Sequence, residues 1–295
     1  MKWFLAVALA GCSGGEGSKT DDSTGGTSVD PMSFYINVKT APVGDLTCYA
    51  GSWLPAPTIC SGCTADVTLN GTVQDFQEET PVAQADVEFY FSDSISSAAD
   101  ATLKADASGL FNLPVPACTP LGYKTSTPVE WDQTKDTYEV HQIWDYDASG
   151  AISETVNSVS VATSKIIPAM LGVDWDTTTG IIAGTAFDCN EDPIDNAQVV
   201  VKSMDGVVQN ASIFYFKDSF PNQTELDTSP DGLWVAVNVP VGTWSVEMYV
   251  WDDATSTQKL IGSTNLEVKA NSVNISNIYT GHNDGIRYPN ACLAQ

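Results

Sequence analysis

One oxygen-rich loop, two histidines and seven cysteines are where the side chains of this sequence could do chemistry. In Asp145-Tyr-Asp147-Ala-Ser149-Gly150-Ala-Ile152, oxygens fall at the first, third and fifth positions, a glycine at the sixth and an apolar residue at the eighth. That is how a calcium loop opens, so Asp145, Asp147 and Ser149 are candidate metal ligands. The twelfth position is Val156 rather than a bidentate glutamate, and the plain alternative is a polar hairpin loop. Trp144 and Tyr146 flank the same loop and could stack on a sugar ring or cover a sheet face. Calcium apart, no cofactor is indicated. His141 and His282 lie in opposite halves of the sequence, too far apart in the chain to read as one metal pair. No G-x-S-x-G segment presents a nucleophile. The sequence therefore reads as a non-enzyme.

The cysteines are 12, 48, 60, 63, 118, 189 and 292. Cys12 follows the N-terminal apolar run directly and is set aside, which leaves an even six. In an exported chain six cysteines are expected as disulfides. Cys189 and Cys292 alone lie in the C-terminal half and are expected to pair. Cys48, Cys60, Cys63 and Cys118 would then form two bridges in an order that spacing does not fix. Cys60-Ser-Gly-Cys63 has zinc-knuckle spacing, but Cys48 and Cys118 supply no second such pair.

Composition sets the partners. Twelve basic against 37 acidic residues give a net charge of −25. Nucleic acid is excluded as a partner, because phosphate binding needs a basic face. At the N-terminus, Met1-Lys2 precedes the apolar run Trp3–Ala10, too short to span a bilayer. The order of charge, apolar core and small residues is that of an export signal. Leu9-Ala-Gly-Cys12 resembles the lipobox of bacterial lipoproteins. The resemblance implies cleavage before Cys12, lipidation (palmitate) of Cys12, and a membrane partner through that anchor. It also implies a cell-envelope location, the outer membrane by the Ser that follows Cys12. Residues 13–30 are Gly, Ser, Thr and Asp with almost nothing apolar, as in a flexible tether.

The body alternates short Val, Ile, Thr and aromatic runs with Gly, Pro, Asp and Asn. Trp244, Val246, Met248 and Val250 take every second place along one such run, the period of a half-buried strand. No convincing helix is expected. The runs also repeat. Gly71-Thr-Val-Gln-Asp75 and Pro81-Val-Ala-Gln-Ala85-Asp-Val87 are answered by Gly184-Thr-Ala-Phe-Asp188 and Pro193-Ile-Asp-Asn-Ala197-Gln-Val199. Ala107-Ser-Gly109-Leu-Phe111 is answered by Asp231-Gly232-Leu-Trp234, and Tyr138–Val140 by Trp244–Val246. A repeat this long means tandem domains. Gly71 and Gly184 are expected to supply turns of positive φ.

This pattern resembles the carboxypeptidase regulatory-like domain, a prealbumin-like (transthyretin-like) fold, once in each half. The resemblance implies an all-β protein of two tandem Greek-key β-sandwiches, usually non-catalytic and found in surface proteins. The expected organisation is a signal peptide at 1–11, a tether at 12–30, a Cys-bearing strand and cap on the first sandwich at 31–65, and sandwiches at 66–178 and 179–295. The expected function is a cell-surface lipoprotein with a structural, spacer or binding role, facing surface protein or polysaccharide. The alternative is a carbohydrate- or calcium-binding module using the Asp145–Ile152 loop.

Overall fold

The computed structural model describes residues 36–60, 63, 65–92, 94–128, 130–131, 133–145, 150–206 and 212–293. Cys12, Tyr146, Asp147 and Ser149, and with them the lipidation site and two of the three proposed calcium ligands, lie outside the described residues.

Among the described residues the regular structure is almost all strand, as expected. The first half holds β1 (Asp66–Asp75), β2 (Asp86–Tyr90), β3 (Ala101–Lys104), β4 (Leu110–Pro116), β5 (Leu121–Ser126), β6 (Asp136–Gln142) and β7 (Ala151–Ser158). The second holds β8 (Gly180–Phe187), β9 (Ala197–Ser203), β10 (Ser212–Lys217), β11 (Phe220–Asn222), β12 (Leu233–Val239), β13 (Gly242–Asp252), β14 (Thr257–Val268), β15 (Ser272–Ile275) and β16 (Ile278–Tyr279). In the first half the sheet β4-β1-β7 packs over β3-β2-β5-β6, and in the second β9-β13-β14 packs over β10-β12-β8-β15. Alternate residues point inward: along β1, Val67, Leu69, Val73 and Asp75 are buried and Asp66, Thr68 and Asn70 exposed. The topology matches β5 with β13, so Trp244–Val246 answers the strand before Tyr138–Val140 rather than that segment itself.

The halves share a sheet. β15 lies parallel to β8 on one side and parallel to β6 on the other, with Ser272 opposite Asp136 and Ile275 opposite Glu139. One ten-stranded sheet therefore runs from β11 in the second half to β3 in the first. Tyr90, Ile95, Tyr138 and Val140 of the first half belong to the same buried cluster as Trp234, Val246 and Met248 of the second.

A helix joins the halves where none was expected. α1 (Val161–Met170) starts at Ser160, whose side chain accepts the Thr163 N–H at 3.0 Å. Pro168 lies inside it, and that proline hides the helix from a reading of periodicity. Ile167 and Leu171 pack on Ile181, Val235, Val237 and Val273, covering the outer face of the shared sheet. Among the described residues no helix is long and apolar enough to cross a membrane.

Candidate functional site

The repeated residues do matched work. Asp75 ends β1 and Asp188 directly follows β8, each with a buried carboxylate. Asp75 accepts the N–H of Gln77 and Glu78 at 3.0 and 2.8 Å through one oxygen, and that of Ser160 at 3.1 Å through the other. Asp188 accepts from Asn190 and Asp192 at 2.8 and 3.0 Å, and through its second oxygen from Asp45 at 2.7 Å. Each carboxylate shapes its own turn and ties down a distant segment.

Gly71 and Gly184 are not turn residues. Both sit inside strands, Gly71 opposite Phe111 and Gly184 opposite Trp234. A methyl on Gly71 would overlap the Phe111 ring, and one on Gly184 would overlap the Ser276 carbonyl. The glycines are there for close approach. Positive φ belongs instead to Gly109 and Gly232, at 76° and 65°. Their missing Cβ atoms face Pro81 and Pro193, 3.2 and 2.9 Å away, in matched positions.

As far as Leu54 the N-terminal segment lies on the second half rather than capping the first sandwich, and its end, at Ile59, Cys60 and Cys63, packs on the first core. Val43 bridges to Asp195, Asp45 binds Asp188, Val38 accepts from Gln258, and the Leu54 N–H reaches Gly281 at 2.8 Å. All of these partners lie in the second half. The segment then turns to the C-terminal tail, where Ile59 bridges to Leu293. The disulfides follow this path. Cys48 pairs with Cys189, Cys118 with Cys292 and Cys60 with Cys63, at Cα separations of 5.7, 5.4 and 5.4 Å. The expected Cys189–Cys292 bridge does not form. Beyond Arg287 the tail leaves the second half and ends against the first, where Cys292 is fully buried in one cluster with Val67, Leu69 and Trp144. Cys189 is met instead by the N-terminal segment.

A half-open cleft of about 250 Å³ lies where the N-terminal segment, β16 and the tail converge. Leu54, the Cys48–Cys189 bridge, Tyr279, His282 and Arg287 line it. Tyr279 stacks on Phe187 at 5.2 Å, and His282 stands edge-on to Tyr279. His282 is therefore a packed residue rather than a solvated one, and burial holds its pKa below the usual histidine value. Arg287 is paired with Glu191 across the same junction. His141 approaches the Asn265 carbonyl across the halves at 2.6 Å.

The Asp145–Ile152 loop keeps one described candidate ligand. Asp145 raises the pKa of Glu154, after burial the second cause of that shift. Trp144 cannot present its ring to a sugar: it is buried in the first core, edge-on to Phe89 at 5.9 Å. Among the described residues no group of three or more His, Cys, Asp or Glu side chains is gathered as a metal ion would need.

Sequence reading missed a buried polar cluster at the seam. Glu139, on β6 and opposite β15, accepts from Tyr123 and, at 3.0 Å, from the Asn157 side chain. The Tyr123 hydroxyl accepts the Asn157 N–H at 2.9 Å. Burial pushes the Glu139 carboxyl and the Tyr123 phenol above their usual ranges. Thr137 to Val140 are all buried, on both faces of β6, so no alternation marks Glu139 as an inward-facing residue.

No family model matches the chain, and no curated protein matches it. Among solved structures, the TIE protein of Bacillus anthracis aligns over 73% of this chain at 11% identity and a TM-score of 0.24. This chain spans about a third of that one's length, 34%. The shaft pilin SpaA of Lactobacillus rhamnosus GG aligns over 74% of this chain and 97% of its own, at 11% identity and a TM-score of 0.23. A minor pilin of Streptococcus agalactiae aligns over 76% and 98%, at 10% identity and a TM-score of 0.24. No family membership follows from scores this low.

Proposed function

We propose that the chain is an exported lipoprotein of the cell surface, anchored through Cys12, that serves as a rigid spacer and not as a catalyst. The observation that carries this reading is the double cross-tie. A shared sheet and the Cys118–Cys292 disulfide, spanning 174 residues, hold the halves as one body, and Cys48–Cys189, spanning 141, pins the N-terminal segment to the second half. Bridges of that kind belong to an oxidising, exported compartment. Leu9-Ala-Gly-Cys12 and the polar residues 13–30 supply an anchor and a tether in the order a surface spacer requires. Metabolic labelling with an alkyne palmitate analogue, followed by membrane fractionation, tests the anchor. The wild type should carry label and sediment with membranes. Cys12→Ser should lose the label and move to the soluble fraction. A Cys12→Ser protein that still sediments with membranes overturns the reading.

A further inference from the structure

Four of the six disulfide cysteines meet in one place. Cys63, Cys118 and Cys292 are buried in the core of the first half, and Cys60 packs half-exposed at its edge. The sulfurs of Cys60 and Cys63 lie 3.8 and 3.6 Å from the carbonyl oxygen of Ala291, the residue before Cys292. The Cys60 N–H also donates to the Cys292 carbonyl at 3.0 Å. The Cys60–Cys63 disulfide thus packs on the backbone of Ala291 and Cys292, beside the residue that carries the buried bridge.

The two differ in what they close and in who can reach them. Cys60 and Cys63 are three residues apart, Cys118 and Cys292 are 174 apart. Before the chain folds, the local pair meets far more often, because loop closure costs more as the loop lengthens. After it folds, Cys118 and Cys292 are 5% and 0% exposed, closed to an oxidant from solution. Exchange needs access to a sulfur, and Cys60 supplies it.

We propose that Cys60–Cys63 is an exchangeable disulfide through which the buried Cys118–Cys292 bridge is made. The Cys292 thiolate attacks the Cys63 sulfur, so the Cys63–Cys292 bond forms as the Cys60–Cys63 bond breaks. Cys60 leaves as a thiolate on the solvent side and takes up a proton. The Cys118 thiolate then attacks the Cys292 sulfur, forming Cys118–Cys292 and expelling Cys63, which is protonated in turn. Two electrons pass from the Cys118/Cys292 dithiol to the Cys60–Cys63 disulfide, and two protons move with them. A low-molecular-mass disulfide from solution restores Cys60–Cys63 by exchange at Cys60, and is itself reduced to two thiols.

The test is refolding of the reduced full chain in a glutathione redox buffer, with iodoacetamide quenching and peptide mapping. Cys118→Ala removes the second attack, so the Cys63–Cys292 mixed disulfide should accumulate with Cys60 alkylated. In a Cys60→Ala/Cys63→Ala chain, Cys118–Cys292 should form roughly tenfold more slowly or worse, while Cys48–Cys189 forms at the wild-type rate. An intact Cys60–Cys63 beside an alkylated Cys292 in Cys118→Ala overturns the proposal. So does an unchanged rate in the double variant, or an equal slowing of both long-range bridges, which would mark a folding defect rather than exchange.

Discussion

Asp75, Asp188 and Asp227 show how one residue type takes different roles from its surroundings. The first two accept three backbone N–H groups each and hold turns together. Asp227 is half-buried near Asp195 and Glu225, and burial first, then those two charges, raises its pKa from 3.8 to about 6. The folded protein therefore binds the proton more tightly than the unfolded chain does. The Asp227 contribution to stability is full below pH 3.8 and is lost as pH rises through about 6. Asp227→Asn removes that titration. It should leave the melting temperature unchanged near pH 4 and raise it at pH 7 by roughly 1–3 °C, a small gain because solvent screens a half-exposed group. A pH series of melting curves for both proteins checks this, and equal slopes between pH 4 and 7 would refute it. Nothing in the spacing of Asp227 marks it out, since its shift comes first from burial and then from Asp195, a charge on another segment, ahead of the nearby Glu225.

The strands were legible in the sequence, and so was their repetition, because period-two burial and turn residues leave local marks. The role of the repeated glycines was not. Gly71 and Gly184 precede an aspartate as a turn glycine would, yet each lies across from the aromatic residue of the same repeat, and the paired change Phe111 to Trp234 is the trace of that contact. The obstacle differs between the halves. At Gly71 it is a ring that can swing, at Gly184 the backbone carbonyl of Ser276. Gly184→Ala should therefore destabilise by about 3 kcal/mol and Gly71→Ala by about 1–2 kcal/mol, measured by urea unfolding. A larger loss at Gly71 than at Gly184 would contradict the assignment. α1 escaped detection because Pro168 reads as a helix breaker, and the seam because β15 is four residues long and carries two polar side chains, Ser272 and Asn274. Parallel pairing between distant strands leaves no local signal at all.

At the scale of the whole molecule, the halves that repeat in sequence are not independent in space. β15 reaches full pairing only with β6 beside it, and Tyr90, Ile95, Tyr138 and Val140 complete the second core. Cys189 and Cys292 find their partners in Cys48 and Cys118, both outside residues 179–295. The sequence placed those two cysteines in one half and so suggested that they pair; the path of the tail decides otherwise. In the chain-entropy model each of the two long bridges contributes about 5 kcal/mol, less any strain. A fragment of residues 179–295 loses both bridges, one neighbour of β15 and part of its core. The loss of four apolar packing partners and an unpaired strand edge together outweigh the margin of about 5–15 kcal/mol by which a domain is folded. With Cys189→Ala and Cys292→Ala to exclude wrong pairing, the fragment should show no cooperative heat-absorption peak, whereas the oxidised full chain should melt in a single transition. A sharp calorimetric transition in the fragment would show that the second sandwich stands alone, and that the shared sheet merely joins two finished domains.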